Sequence, residues 1–341
     1  MSDIIVAKEG CIGRIRLNRP KALHALTTDM CLAILRALAD FENDDDVAAV
    51  VFDHAEGRGF CAGGDIRMLA ESGQGDGSAA RAFFMAEYRM NHWLFTYPKP
   101  TVAVMDGIVM GGGVGIALPC KYRVATENTR FAMPETGIGL FPDVGGGWYL
   151  SRLPGQVGKF LALTGARLDG AECLALGLAT HYLASADIVA AIASLCSTTD
   201  IGATLKAHGS GAPLARIVEN RTHIDRLFVG DSVAEIMAAL EADGSDWACK
   251  ELATLRTKSP LSMTVALRQL REGAAMPDFA AEMRQEYAIG ARVVHTPDFI
   301  EGVRALIVDK DNAPRWVADV DPAQIDAIFA PMPVEEEWTP L

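Results

Sequence analysis

Residues 101–118 read TVAVMDGIVMGGGVGIAL, and they join an apolar run to a cluster of glycines. The apolar run is typical of a buried strand in a parallel sheet that is covered on both faces. Four of the five residues at 111–115 are glycine. Glycine inside a regular element costs about 0.5–1 kcal/mol relative to alanine, so clustered glycines indicate that another group must approach the backbone closely.

The same order of features occurs once more along the chain. The apolar segment VAAVVFDHA (47–55) leads into GRGFCAGGDIRML (57–69), a glycine-rich turn that feeds a helix. Strand, glycine turn and helix therefore occur at 48–70 and again at 100–118, which predicts a β-α-β build with a mainly parallel sheet. After about residue 190 helical patterning dominates. We expect an α/β region over residues 1–190 and a mainly helical region over residues 191–341.

Composition excludes several classes of protein. The 341 residues carry a net charge of −13, which argues against nucleic acid or an anionic membrane surface as the main partner. The seven cysteines are odd in number and show no C-x-x-C spacing, so neither a disulfide scaffold nor a zinc site is expected. The start, MSDIIVAKEG, has the features of neither a secretory signal nor a transit peptide. These features predict a cytoplasmic location and no metal.

The two glycine turns allow different uses. Backbone N–H groups in such turns can hold phosphate, but neither turn fits G-x-x-x-x-G-K-[ST], and GGGVGI is a poor match for G-x-G-x-x-G. Two N–H groups from different segments can instead converge on one carbonyl oxygen as an oxyanion hole. The structural alternative is that the glycines only permit tight packing of helix against strand.

Three segments carry a family resemblance: FCAGGDI (60–66), GIVMGGGVGIAL (107–118) and FAMPETGIGLFPDVGGG (131–147). They resemble the crotonase, or enoyl-CoA hydratase/isomerase, superfamily, which implies an α/β fold with a β-β-α spiral core. Up to residue 317 the chain is similar to the 3-hydroxyisobutyryl-CoA hydrolase branch. The resemblance implies an acyl-CoA substrate, with coenzyme A as part of the substrate and no separate cofactor. A homo-oligomer is left open, because the apolar faces at 232–240 and 262–270 could also cover the chain's own core.

The resemblance also assigns roles to individual residues. It implies that the N–H groups of Gly64 and Gly112 form the oxyanion hole. Glu135 takes the place of an active-site glutamate, and Asp143 matches a second acid of the hydrolase branch. Glu87 matches a substrate-contacting acid, although a helix-surface role is its structural alternative.

Further substrate contacts are expected in the segments KAL and CAGGDI. Two of them have structural alternatives, since Asp65 could cap the following helix and Lys21 could be ordinary surface charge. The expected contacts are Lys21, Ala22, Ala62, Asp65 and Ile66.

One departure from the hydratase pattern bears on function. Hydratases of the superfamily carry a second catalytic glutamate where this chain has Gly115, and hydration needs paired carboxylates to activate water and move protons. Gly115 therefore disfavours hydration, and the resemblance to the hydrolase branch implies hydrolysis of a short branched 3-hydroxyacyl-CoA, such as 3-hydroxyisobutyryl-CoA in valine catabolism. An enoyl-CoA hydratase or isomerase is the alternative. A non-catalytic acyl-CoA-binding protein is another, against which the two acids Glu135 and Asp143 argue.

Overall fold

The computed structural model describes residues 2–341, which contain ten strands in two sheets. The strands are β1 (Ile4–Glu9), β2 (Ile12–Leu17), β3 (Ala49–His54), β4 (Gly59–Cys61), β5 (Thr101–Met105), β6 (Ile108–Met110), β7 (Tyr122–Ala125), β8 (Arg130–Ala132), β9 (Leu168–Asp169) and β10 (His181–Tyr182). The first sheet has the order β1-β2-β3-β5-β7-β10, and the second has the order β4-β6-β8-β9.

Most neighbouring strands are parallel. The exceptions in the described chain are the hairpin β1–β2 and the short pair β8–β9. All five residues of β5 are buried, as are five of the six in β3, because helices cover both faces of a parallel sheet. The predicted α/β class with a mainly parallel sheet is confirmed.

Sixteen α-helices surround and follow the strands in residues 2–341. They are α1 (Thr28–Glu42), α2 (Ile66–Gly73), α3 (Ser78–Thr96), α4 (Gly112–Ala117), α5 (Gly146–Ser151), α6 (Val157–Thr164), α7 (Gly170–Ala175), α8 (Ile188–Leu195), α9 (Ile201–Ala207), α10 (Arg216–Leu227), α11 (Val233–Asp243), α12 (Asp246–Leu255), α13 (Pro260–Gly273), α14 (Phe279–Val293), α15 (Pro297–Val303) and α16 (Pro322–Phe329). None of the helices in this described part is both long and apolar enough to cross a bilayer.

The helices after the last strand do not form a separate core. α14 packs on α3 and α13 packs on α5, so one buried cluster contains Phe83 from the first part of the chain and Phe279 from the second. The change from strands to helices lies close to residue 190, but the division into two domains there stays a prediction.

Three parallel strands bring the two glycine turns and Glu135 to one edge of the second sheet. β4, β6 and β8 are neighbours in the second sheet and run in the same direction, so their carboxyl ends lie together. The turn at 62–65 follows β4, Gly111 follows β6, and Glu135 comes three residues after β8. Segments more than 70 residues apart in sequence thus meet at the carboxyl edge of the sheet.

Candidate active site

A cavity of about 410 Å³ opens at this carboxyl edge. Seven of the residues predicted from the sequence line it: Ala62, Gly64, Ile66, Glu87, Gly112, Glu135 and Asp143. A second cavity of about 650 Å³, between α11, α13 and α16, contains none of them. The smaller cavity is therefore the candidate active site.

The two glycine turns form corners in the backbone, one at residues 62–65 and one at residues 111–112. These two glycine corners touch each other at the wall of this cavity. A Cβ atom on Gly112 would lie 3.3 Å from the carbonyl carbon of Gly63, and one on Gly111 would lie 3.0 Å from the Gly63 Cα. Side chains at these positions would push the corners apart. Within residues 2–341, the N–H groups of Gly64 and Gly112 donate to no backbone acceptor. Both amides are left free beside the cavity.

Three carboxyl groups are buried around the corners. Glu87 from α3, Glu135 from the 3-10 helix Glu135–Gly137, and Asp143 from the following loop are 2%, 4% and 5% exposed. A Cβ on Gly112 would lie 2.5 Å from Glu87 Oε1, and one on Gly111 would lie 3.5 Å from Glu135 Oε1. Glycine therefore makes room for these acids as well as for the contact between the corners.

Two of these acids have buried oxygen atoms without a partner. Glu87 Oε1 and Glu135 Oε2 are shielded from solvent and accept no hydrogen bond in the described part of the chain. Buried polar atoms are satisfied in the great majority of native structures, so orphaned ones beside a cavity indicate a place for a ligand or water.

The environment raises the pKa of all three acids. Burial raises the pKa of Glu87 and of Glu135 well above their usual range, and the nearby Asp143 raises each further. Burial also raises the pKa of Asp143 to about 6, opposed by a hydrogen bond from Tyr88. Asp143 repels each of the two glutamates, so its negative charge favours their protonated forms.

The space beside Gly115 is already filled. A Cβ on Gly115 would lie 2.7 Å from Asn91 Nδ2 and 2.7 Å from Val144 Cβ. Asn91 follows Glu87 by one turn of α3 and is fully buried. A glutamate at position 115, as the hydratase pattern has, does not fit this packing.

We therefore expect Gly115→Glu to destabilise the protein without creating hydratase activity. Overpacking a filled site costs about 1–3 kcal/mol, and a buried carboxylate adds to that cost. Urea unfolding measures the loss of stability, and the absorbance of crotonyl-CoA measures hydration. Gly211→Glu is the control, because a Cβ on Gly211 meets nothing within 4 Å. A stable Gly115→Glu variant that hydrates crotonyl-CoA would contradict this expectation.

Three predicted contacts lie outside the cavity. The Asp65 carboxylate accepts the N–H of Met68 at 3.4 Å, capping α2, and it pairs with Arg19 at 3.1 Å. This is the structural alternative that the sequence allowed for Asp65. Lys21 is exposed and Ala22 is half-buried, and neither lines the cavity. A substrate contact for these three residues stays a prediction.

The cavity also contains residues that the sequence did not single out. Apolar side chains from α2, α3 and the π-helix Arg304–Val308 form much of its wall, and two cations also line it. The cations, Arg167 and Lys258, form no ion pair among residues 2–341, although Lys258 lies near Glu135. No local pattern marks these residues, because they reach the cavity only through the fold. The apolar members are Leu69, Phe83, Phe84, Ile138, Leu140, Leu306 and Ile307.

Comparison with known proteins supports the structural interpretation. A family model described as enoyl-CoA hydratase/isomerase matches residues 12–329. The chain is 42% identical to a 3-hydroxyisobutyryl-CoA hydrolase of Danio rerio, over 96% of this chain and 90% of the relative. It is 40% identical to the Homo sapiens protein of the same name, over 92% and 84%. A solved structure described as a carnitinyl-CoA dehydratase from Mycobacterium thermoresistibile superposes with a TM-score of 0.94, at 41% identity over 99% of both chains.

The comparisons correct one expectation and confirm two. Both hydrolases are named as mitochondrial proteins, which contradicts the cytoplasmic location predicted from the sequence. That prediction rested on the cysteine pattern and on the composition of the first ten residues. The expected superfamily and spiral fold are confirmed by the family match and the structural superposition. The chain belongs to the enoyl-CoA hydratase/isomerase family.

Proposed function

We propose that this protein hydrolyses a short branched 3-hydroxyacyl-CoA thioester, 3-hydroxyisobutyryl-CoA, to the free hydroxy acid and coenzyme A. The observation that carries the proposal is a buried, unpartnered carboxyl at Glu135 beside two free backbone N–H groups. The names of the similar hydrolases from Danio rerio and Homo sapiens support the choice of substrate. The reaction consumes only water, because coenzyme A enters as part of the substrate.

The free amides of Gly64 and Gly112 are proposed to bind the thioester oxygen. Attack on the carbonyl carbon places negative charge on that oxygen, and two fixed donors stabilise the charge as it develops. The contact between the two glycine corners supports this role, since it brings the donors to one side of the cavity.

Glu135 is proposed to react in its ionised form, which the nearby Lys258 favours against the effect of burial, in one of two ways. In the first, a carboxylate oxygen bonds to the carbonyl carbon, and the tetrahedral adduct expels the thiolate as the C–S bond breaks, which leaves a mixed anhydride that water then cleaves. In the second, Glu135 takes a proton from a water molecule that attacks directly. Single-turnover hydrolysis in ¹⁸O-labelled water tests for the anhydride, because label enters the Glu135 carboxyl only when water attacks a mixed anhydride at the Glu135 carboxyl carbon. Label found only in the hydroxy acid is the result for direct attack of water on the thioester and also for attack of water on the acyl carbon of the anhydride.

Asp143 and Glu87 are proposed to contact the acyl chain. Asp143 lies in the cavity with one oxygen bonded by Tyr88, so the other can accept a hydrogen bond from the 3-hydroxyl group or from water. Glu87, whose raised pKa favours the protonated form, can donate to a substrate oxygen. Apolar residues around these acids suit a short branched chain.

The two cations that line the cavity are proposed to bind the phosphates of coenzyme A. Arg167 and Lys258 have no acidic partner within 4 Å in the described chain, and phosphate is a favourable one. We expect Arg167→Ala and Lys258→Ala to raise KM for the CoA thioester about tenfold, the effect of losing one charge-assisted contact. The N-acetylcysteamine thioester of the same acid lacks phosphate and serves as the control substrate. An equal rise in KM for both substrates would contradict a phosphate contact.

A panel of acyl-CoA thioesters with detection of free thiol tests the proposed function. We expect the fastest thiol release from 3-hydroxyisobutyryl-CoA, with slower release from chains that lack the 3-hydroxyl group. Loss of enoyl absorbance from crotonyl-CoA without thiol release would favour the hydratase alternative. Binding of all thioesters without turnover would favour a binding protein. Association with a second copy stays a prediction, which light scattering tests.

A further inference from the structure

The loop that carries Asp143 is anchored from behind by buried side chains. Glu286 on α14 accepts the N–H groups of Gly145 at 2.7 Å and Gly147 at 3.3 Å. Gln269 on α13 donates to the carbonyl of Pro142 at 2.8 Å and to Glu286 at 2.9 Å. The backbone is therefore fixed on both sides of Asp143.

The residue after Asp143 has an unusual conformation. Val144 has a φ of +53°, a region that β-branched residues rarely adopt, and its side chain is fully buried against Gly115. Such conformations persist where the surroundings determine them, and they cluster at functional sites. The loop thus holds Asp143 in place at a cost in backbone energy.

The carboxylate itself is held by one hydrogen bond. Tyr88 on α3 donates its hydroxyl proton to Asp143 Oδ2 at 2.9 Å, and both side chains are buried. The Tyr88 ring packs on Phe84 with centroids 5.4 Å apart, which fixes the direction of the hydroxyl group. Asp143 Oδ1 has no hydrogen-bond partner among residues 2–341, so it is free to accept a hydrogen bond from a group in the cavity.

Acids face Asp143 from each element packed around it: Glu87 from α3, Glu135 from the 3-10 helix, and Glu286 from α14. The cations Arg167 and Lys258 line the same cavity. No Lys, Arg or His forms an ion pair with Asp143 in the described chain. The Tyr88 hydroxyl is thus the side chain that favours an ionised carboxylate at this position, and its effect exceeds that of the Asp143 backbone N–H.

We infer that Tyr88 is a positioning residue of the reaction, which occupies Oδ2 of Asp143, turns Oδ1 toward the substrate and keeps the carboxylate ionised. The inference rests on the proposed hydrolysis, in which Asp143 accepts a hydrogen bond from the substrate hydroxyl or from water. Tyr88 does not line the cavity, so it acts through Asp143 and not on the substrate.

The test is the pH dependence of kcat/KM for thiol release by Tyr88→Phe. The pKa of Asp143 is raised to about 6, so Asp143 gains a proton and wild-type activity falls as the pH drops through that value. Loss of the Tyr88 donor destabilises the ionised form, and we expect the acidic limb to move up by about one pH unit. At pH 6 the variant should lose about fivefold in kcat/KM relative to wild type, approaching tenfold at about pH 5, and it should recover most of the rate at pH 9.

Tyr149→Phe is the matched control, because the buried Tyr149 hydroxyl on α5 has no partner in residues 2–341. Its pH profile should match that of wild type. Incorporation of 3-fluorotyrosine at position 88 makes a stronger donor without loss of volume, and it should move the limb to lower pH. The inference would be overturned if the acidic limb of the pH profile moved in neither position-88 variant while the wild-type protein still hydrolysed the thioester. No thiol release by wild type would overturn the proposed function itself.

Discussion

Glu135→Gln is expected to lower kcat for thioester hydrolysis by about 10³-fold or more, because an amide neither attacks the thioester nor takes a proton from water. Glutamine has nearly the same shape as glutamate and loses the charge that burial disfavours at this position. The fold and the binding of coenzyme A should therefore persist. Stopped-flow detection of thiol measures kcat, and calorimetry with a non-hydrolysable thioether analogue measures binding.

Glu219→Gln is the matched control for that variant. Glu219 lies exposed on α10, far along the chain from the cavity residues, and should keep full activity. A Glu135→Gln protein that retains more than a tenth of the wild-type rate would remove Glu135 from the mechanism. Loss of analogue binding together with the rate would instead indicate that Glu135 mainly holds the substrate.

Gly112→Ala is expected to lower kcat by about 10²-fold, the effect of a displaced oxyanion donor. The added methyl group would lie 2.5 Å from Glu87 Oε1, 2.9 Å from Leu26 Cδ1 and 3.3 Å from the Gly63 carbonyl carbon. Glu87 can move its carboxyl away, but the Gly63 backbone must separate from the α4 corner. The distance between the N–H groups of Gly64 and Gly112 then increases, and the thioester oxygen loses one of its two hydrogen bonds.

The control for Gly112→Ala is Gly211→Ala, where the new methyl group meets nothing within 4 Å. Thermal unfolding of both variants shows how much stability each loses, and kcat shows the effect on catalysis. We expect kcat of Gly112→Ala to fall while most of the protein stays folded. An active Gly112→Ala protein would mean that this amide does not stabilise the transition state.

The sequence predicted the elements that carry a strong local signal. The two units of strand, glycine turn and helix and the helical region after about residue 190 follow from periodicity and turn residues, and all are present. Glu135 and Asp143 were predicted from a family motif, and the structure places both beside the glycine corners. The motif was informative because neighbouring parallel strands end at the same edge.

Other parts of the site could not be read from local sequence. Lys258 and Ile307 reach the cavity from segments that follow the last strand by more than 70 residues. The sequence shows that Gly115 replaces a glutamate of the hydratase pattern, but only the packing of Asn91 and Val144 shows that the position has no room for a glutamate. Asp65 has a carboxylate of the expected type, yet its hydrogen bonds point along α2 and to Arg19. Long-range packing decides each of these cases.

The central claim is that the thioester is hydrolysed and not dehydrated, and one substrate tests both outcomes. Incubation of the wild-type protein with 3-hydroxyisobutyryl-CoA and separation of the products by mass spectrometry distinguishes them. Hydrolysis gives 3-hydroxyisobutyrate and one equivalent of free coenzyme A thiol, which is the result that the buried Glu135 and the filled space at Gly115 predict. Formation of the enoyl thioester with no free thiol would contradict the account.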